Sequence, residues 1–159
     1  MLAGAHFFTG SALSLSLTEN IYVSFLIGFL SHHFLDRLPH LDLNLFYKKN
    51  KYDSIKSWDF KIWLLVICEF LFFFFLTFYF LRNFNFFLKK IAFFGGIGAI
   101  LPDVFTILGK SFLPKLKIFN FYFNFHKNFH FQLKNKNYLL PVLSELILII
   151  FGIILFLGR

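Results

Sequence analysis

Histidine and aspartate recur at helical spacing in a chain that is otherwise mostly apolar. The segment Ser31 to Asp42, SHHFLDRLPHLD, carries three histidines and two aspartates at the end of a hydrophobic run. On a helix, His32 and Asp36 are four residues apart and share a face, while His33 and Asp36, three apart, are also adjacent. Such a pair can turn an imidazole nitrogen and a carboxylate oxygen toward one cation. His32 and His33 point about 100° apart, so one of them is the direct ligand. A His–Asp hydrogen bond bracing a helix end, or histidines reaching for the interface, is the plainer alternative. His126 and His130 repeat the four-residue spacing in FHKNFHF, which on a helical turn gives two nitrogens on one face. Solvated loop histidines are the alternative there. Asp103 follows Pro102 in AILPDVF, and a carboxylate buried among such residues must be paired with a cation or bind a metal.

His nitrogens and Asp oxygens without a thiolate suit Zn²⁺, Mn²⁺ or Fe²⁺. A divalent ion so held activates water and clamps a phosphoryl or acyl oxygen, and more than four candidate ligands leave room for two ions. The candidate ligands are His6, His32, Asp36, Asp103, His126 and His130. His33 or His40 is the candidate proton carrier, and His40 and Asp42, after Pro39, read either as supports behind the ligands or as residues that face a substrate. Glu69 and Glu145 read as pairing partners or neutral acids. With no nucleophilic serine motif, the chemistry expected is hydrolysis by metal-activated water.

These residues must be positioned by elements that sit in lipid. The 159-residue chain is 58% hydrophobic and 15% charged, against roughly 25% charged in soluble domains. Such a chain of one domain, 1–159, cannot hide its apolar surface in a soluble core. Its 29 phenylalanines fit an AT-rich coding bias and are not read as a cofactor box. The net charge of +8 lies in loops between apolar runs, where it meets anionic headgroups and not nucleic acid. Cys68 is the one cysteine, which excludes a disulfide within the chain and a thiolate cluster. A cleaved signal peptide is not expected, because the N-terminus lacks a basic region and its apolar run contains His6.

Apolar runs predict an all-α, polytopic membrane bundle of four to five helices: Leu2–Leu17, about Ile21–Leu38, Ile62–Leu81, Ile91–Leu108 and Tyr138–Leu157. The first is short and rich in small residues, which predicts a helix packed inside the bundle. Pro39 is expected to stop the second at Leu38. Trp58 and Trp63 flank the third as interface anchors do. Arg82–Lys90 is read as a short basic loop, and Gly109–Asn137 as a polar, basic connection. Five crossings would gather the N-terminus and the 39–61 and 109–137 loops on one side. Twelve of the sixteen Lys and Arg fall there, which predicts a cytoplasmic face in an inner membrane. Nearly every unusual polar residue falls in the same half of the bilayer.

His6 followed by Gly10, the SHHFLD segment, Leu101-Pro102-Asp103 and HKNFH together resemble the inner-membrane metal-dependent hydrolase family. The resemblance implies a small helical bundle, a divalent metal, and ligand or active-site roles for His6, His32, Asp36, Asp103, His126 and His130. The motif order differs, since that family places its SHxxxD helix last, and the acid–His pair that follows its LPD is missing here. The order is closer to that of small membrane proteins of AT-rich bacteria with an SHxLLDxxPHxD segment near the start, a likeness that brings no chemistry. The reading is a membrane-embedded hydrolase of a lipid-accessible ester or phosphoester. A transporter lined by the same residues, or a non-catalytic metal-binding or structural membrane protein, are the alternatives.

Overall fold

The computed structural model describes residues 3–40, 55, 58–113, 115–129 and 139–159. Among them the chain is all-helical, with six helices: α1 (Ala3–Leu17), α2 (Ile21–Leu35), α3 (Phe60–Leu81), α4 (Phe86–Phe112), α5 (Lys117–Phe129) and α6 (Leu139–Leu157). Three of these, α3, α4 and α6, are long and apolar enough to cross a membrane. Their outward faces are lined with exposed Leu, Ile and Phe, as lipid requires.

At the centre stands α1. Eleven of its fifteen residues are buried, and it packs against α2, α3, α4 and α6. Fifteen residues rise about 22 Å, short of a hydrocarbon core of about 30 Å. The same holds for α2. The two form a short hairpin in which α1 is enclosed, as its small residues imply, while α2 keeps an exposed apolar face of Tyr22, Leu26, Leu30 and Phe34. Asn20 starts α2 by accepting from the backbone N–H groups of Tyr22 and Val23 at 2.9 and 3.2 Å. At the same end of the bundle Glu19 pairs with Arg159, which fixes α6 antiparallel to α2.

Glycine makes the close approach of α1, α2 and α4 possible. A Cβ on Gly28 would run into the Gly95 carbonyl, and one on Gly98 would run into that of Phe25. A Cβ on Gly95 would meet the Ser14 side chain across the α1 interface. Aromatic rings fill the rest: Phe8 of α1 lies 5.4 Å from Phe156 and 5.9 Å from Phe73, centroid to centroid.

Several boundaries differ from expectation. The second helix ends at Leu35, with Asp36 as its C-cap, and not at Leu38. Arg37 and Leu38 donate to Phe34 and Leu35, so the last turn tightens before Pro39. The fourth is longer at both ends than Ile91–Leu108 and absorbs Lys89 and Lys90, which leaves only a short turn after Arg82. Asn85 caps it, accepting from Leu88 N at 2.9 Å. It also continues through Pro102. The stretch 117–129, expected as part of a connection, is a helix with Phe119 against Gly109. Trp58 and Trp63 pack edge to face at 5.0 Å beside the start of α3.

Replacing Gly28 by Ala forces a methyl against backbone that cannot swing away. A loss of about 1–3 kcal/mol of stability is expected, read as a lowered unfolding midpoint of the detergent-solubilised protein. An unchanged midpoint would show that α2 and α4 do not approach this closely.

Candidate metal centre

Asp36 caps α2 and points inward, its side chain 1% exposed. It meets His6 from the start of α1, with His6 Nε2 to Asp36 Oδ1 at 3.0 Å. A carboxylate can only accept, so His6 donates from Nε2. One turn before Asp36, His32 places Nε2 3.1 Å from Asp36 Oδ2. Its other nitrogen, Nδ1, lies 2.7 Å from the Ala99 carbonyl oxygen on α4. A carbonyl likewise only accepts, so His32 donates from Nδ1 and, as a neutral imidazole, presents Nε2 as a lone pair. Rings of His6 and His32 stack with centroids 4.0 Å apart.

Asp103 arrives on α4, one residue past Pro102 and one turn beyond Ala99. Its Oδ1 is 3.7 Å from His32 Nε2. His126 arrives on α5, which turns back along α4 after residue 116. Its Nε2 lies 3.6 Å from Asp36 Oδ2 and 3.7 Å from Asp103 Oδ1. One donor atom from each of His32, Asp36, Asp103 and His126 falls within 4.8 Å of the others. This buried His/Asp group could hold a metal ion.

Bonds of roughly 2.0–2.1 Å to a tetrahedral ion set its ligands about 3.3–3.4 Å apart. The four nitrogen–oxygen separations across the group, 3.1, 3.6, 3.7 and 3.7 Å, bracket that edge. Three of them are too long for hydrogen bonds. At the fourth, 3.1 Å, His32 Nε2 makes no hydrogen bond among the described residues. A lone pair facing two carboxylates is repelled unless positive charge stands between them. Two carboxylates also neutralise a divalent ion, which lets the assembly stay out of water. Calcium would ask for six to eight oxygens at 2.3–2.6 Å, a demand this donor set does not meet.

His33 lies beside the group. His32, His33 and His126 form a second, overlapping set within the same 4.8 Å limit. Rings of His32 and His33 are nearly perpendicular with centroids 5.4 Å apart, so the divergence expected of consecutive helical residues does not remove His33 from reach. His6 belongs to neither set; it sits behind Asp36 and orients its carboxylate. His40 is also in neither set, and its Nδ1 donates to Leu38 O at 2.7 Å. His130 and Asp42 lie outside the described residues. Glu69 serves the backbone instead, its carboxylate accepting from the N–H groups of Gly4 and Ala5, both at 3.0 Å, and so capping α1. Glu145 is buried on α6.

Asp103 lies nine residues before the end of α4, about 14 Å along that helix at 1.5 Å per residue. Exposure is uneven: Asp103 is 23% exposed, while His32, Asp36 and His126 are at 0%, 1% and 6%. The centre opens on the Asp103 side.

Tyr122 is not among the site residues expected from spacing and type. It lies one turn before His126 on α5, its ring parallel to the imidazole with centroids 6.3 Å apart. Burial, and then the carboxylates of Asp103 and Asp36, push its phenol above the usual range, so it stays a protonated donor. The signal that could have found it is Phe119, Tyr122 and His126 at i, i+3 and i+7 on one face.

Purified protein should take up Zn²⁺ or Co²⁺ with a definite stoichiometry, lost in both Asp36→Ala and His126→Ala. His6→Ala should keep that stoichiometry and weaken affinity about 10–100-fold, measured by chelator competition. Full retention in both ligand variants would remove this centre.

Comparison with protein-family models, curated proteins and solved structures finds no match.

Proposed function

We propose that this chain is a multi-pass inner-membrane protein whose His32/Asp36/Asp103/His126 centre holds Zn²⁺ or Mn²⁺ and hydrolyses a membrane-accessible ester, foremost a phosphoester. The observation that carries the reading is the bare His32 Nε2 beside two carboxylates at metal-ligand spacing. When bound, the ion supplies a water acidic enough to ionise near neutral pH and a Lewis acid for the substrate oxygen.

The protein's own groups do the rest. Asp36 and His32 form the closed wall, held by His6 and Ala99. Asp103, part exposed, is the ligand nearest incoming substrate. His126 closes the site from α5, and His33, packed against both His32 and His126, is placed to carry a proton. The resemblance of SHHFLD, LPD and HKNFH to the inner-membrane hydrolase family supports the same assignment. The excess of Lys and Arg on the side of the 39–61 loop supports a cytoplasmic opening.

A permeation route would need polar lining at the other end of the bundle. The core there is Leu15, Leu81, Ile91 and Phe156, and the hydroxyls of its buried Ser14, Ser24 and Thr77 donate to backbone carbonyls. A floor with no buried charge among the described residues favours a pocket over a path.

Metal-loaded protein in lipid nanodiscs should hydrolyse phospholipid or a generic phosphodiester, lose activity to chelator, and regain it with Zn²⁺ or Mn²⁺. Asp103→Asn should cut the rate at least about 100-fold. A loaded protein that turns over none of these probes would be a metal binder and not this enzyme.

A further inference from the structure

Tyr122 carries a hydroxyl with an unusual place. The oxygen is buried and has no hydrogen-bond partner among the described residues. A buried O–H left unpaired costs about 1–3 kcal/mol, so natural proteins seldom keep one without use. The ring is fixed on three sides: parallel to His126, and edge to face with His33 and Phe105 at 6.4 and 6.3 Å between centroids. It is near enough to Asp103 and Asp36 for both charges to act on it. Yet it bonds to neither, although a carboxylate is the acceptor a structural tyrosine would take.

None of the four ligands carries a hydroxyl. Asp36 and Asp103 can only accept, and the N–H of His32 is engaged by Ala99. An anionic substrate entering past two carboxylates needs a donor that is uncharged and already in place. We infer that the Tyr122 hydroxyl donates a hydrogen bond to a phosphoryl oxygen of the ligand bound at the His32/Asp36/Asp103/His126 centre. This rests on the metal-site reading above and adds a substrate-binding residue to it. Because α5 carries both Tyr122 and His126, one helix supplies a metal ligand and the oxyanion donor together.

The test uses full-length Co²⁺-loaded protein titrated with inorganic phosphate, followed by the visible absorption of the cobalt. Tyr122→Phe keeps the ring stack and removes the oxygen alone. Its cobalt stoichiometry and unfolding midpoint should match wild type, while its phosphate dissociation constant rises about tenfold or more. Phe125→Leu, which disturbs packing beside Tyr122 but keeps the hydroxyl, should leave phosphate affinity within about twofold. Equal phosphate affinity in wild type and Tyr122→Phe overturns the assignment, as does a wild-type cobalt spectrum that phosphate leaves unchanged. A wild type that takes up no cobalt instead overturns the metal site itself, and the assignment with it.

Discussion

A carboxylate out of water must be answered by positive charge or by donors, and Asp36 imposes that demand on the whole bundle. Its oxygens lie within 3.6 Å of imidazoles from α1, α2 and α5. α1 and α2 are neighbours along the chain, but α5 begins only at Lys117, and neither α1 nor α5 could bury its histidine next to an acid alone. The distances divide into two kinds. His6 and His32 stand at hydrogen-bond distance from Asp36, whereas His126, at 3.6 Å, stands at a separation that suits a shared ion better than a shared proton. The result is a set of lone pairs aimed at one point from rigid helices.

Rigid helices can do this because their backbones nearly touch. Gly28 and Gly98 let α2 and α4 close on each other without side chains between them, and Gly95 does the same for α4 and α1. That closeness lets His32 reach across to a carbonyl of α4. A carbonyl oxygen has two lone pairs, so that of Ala99 can accept from His32 and still serve the helix ladder. A bulkier interface would hold His32 away from Ala99 and leave its tautomer undetermined. Packing and chemistry are therefore set by the same small residues.

Much of this is legible in the sequence because apolar runs and isolated polar residues are strong signals in lipid. The all-helical bundle, the internal first helix, and the meeting of His32, Asp36, Asp103 and His126 can all be read from residue type and topology. Other features depend on side chains that sequence spacing does not orient. His6 reads as a ligand, and it does reach the group, but it lies on the far side of Asp36. Consecutive histidines suggest a choice between His32 and His33, whereas α5 brings both within reach of His126. The helix at 117–129 is obscured by its Asn and Lys content. Its aromatic face, with Tyr122, packs on α4 and is invisible to a search for long apolar runs. His40 reads as available to a substrate, yet the tightened turn before Pro39 directs it to its own backbone.

The distribution of the centre along the chain has a consequence for biogenesis. A ribosome delivers the α1–α2 hairpin, with Asp36 already in it, long before Asp103 and His126 have been made. Until then the acid lacks the ligand set it shares in the folded bundle, and the hairpin is short for a crossing alone. It must therefore wait at the water boundary or in the shelter of the insertion machinery, and sink to its final depth as α4 and α5 close around it. A hairpin made before the helices that complete its site is, by this logic, among the last elements to settle.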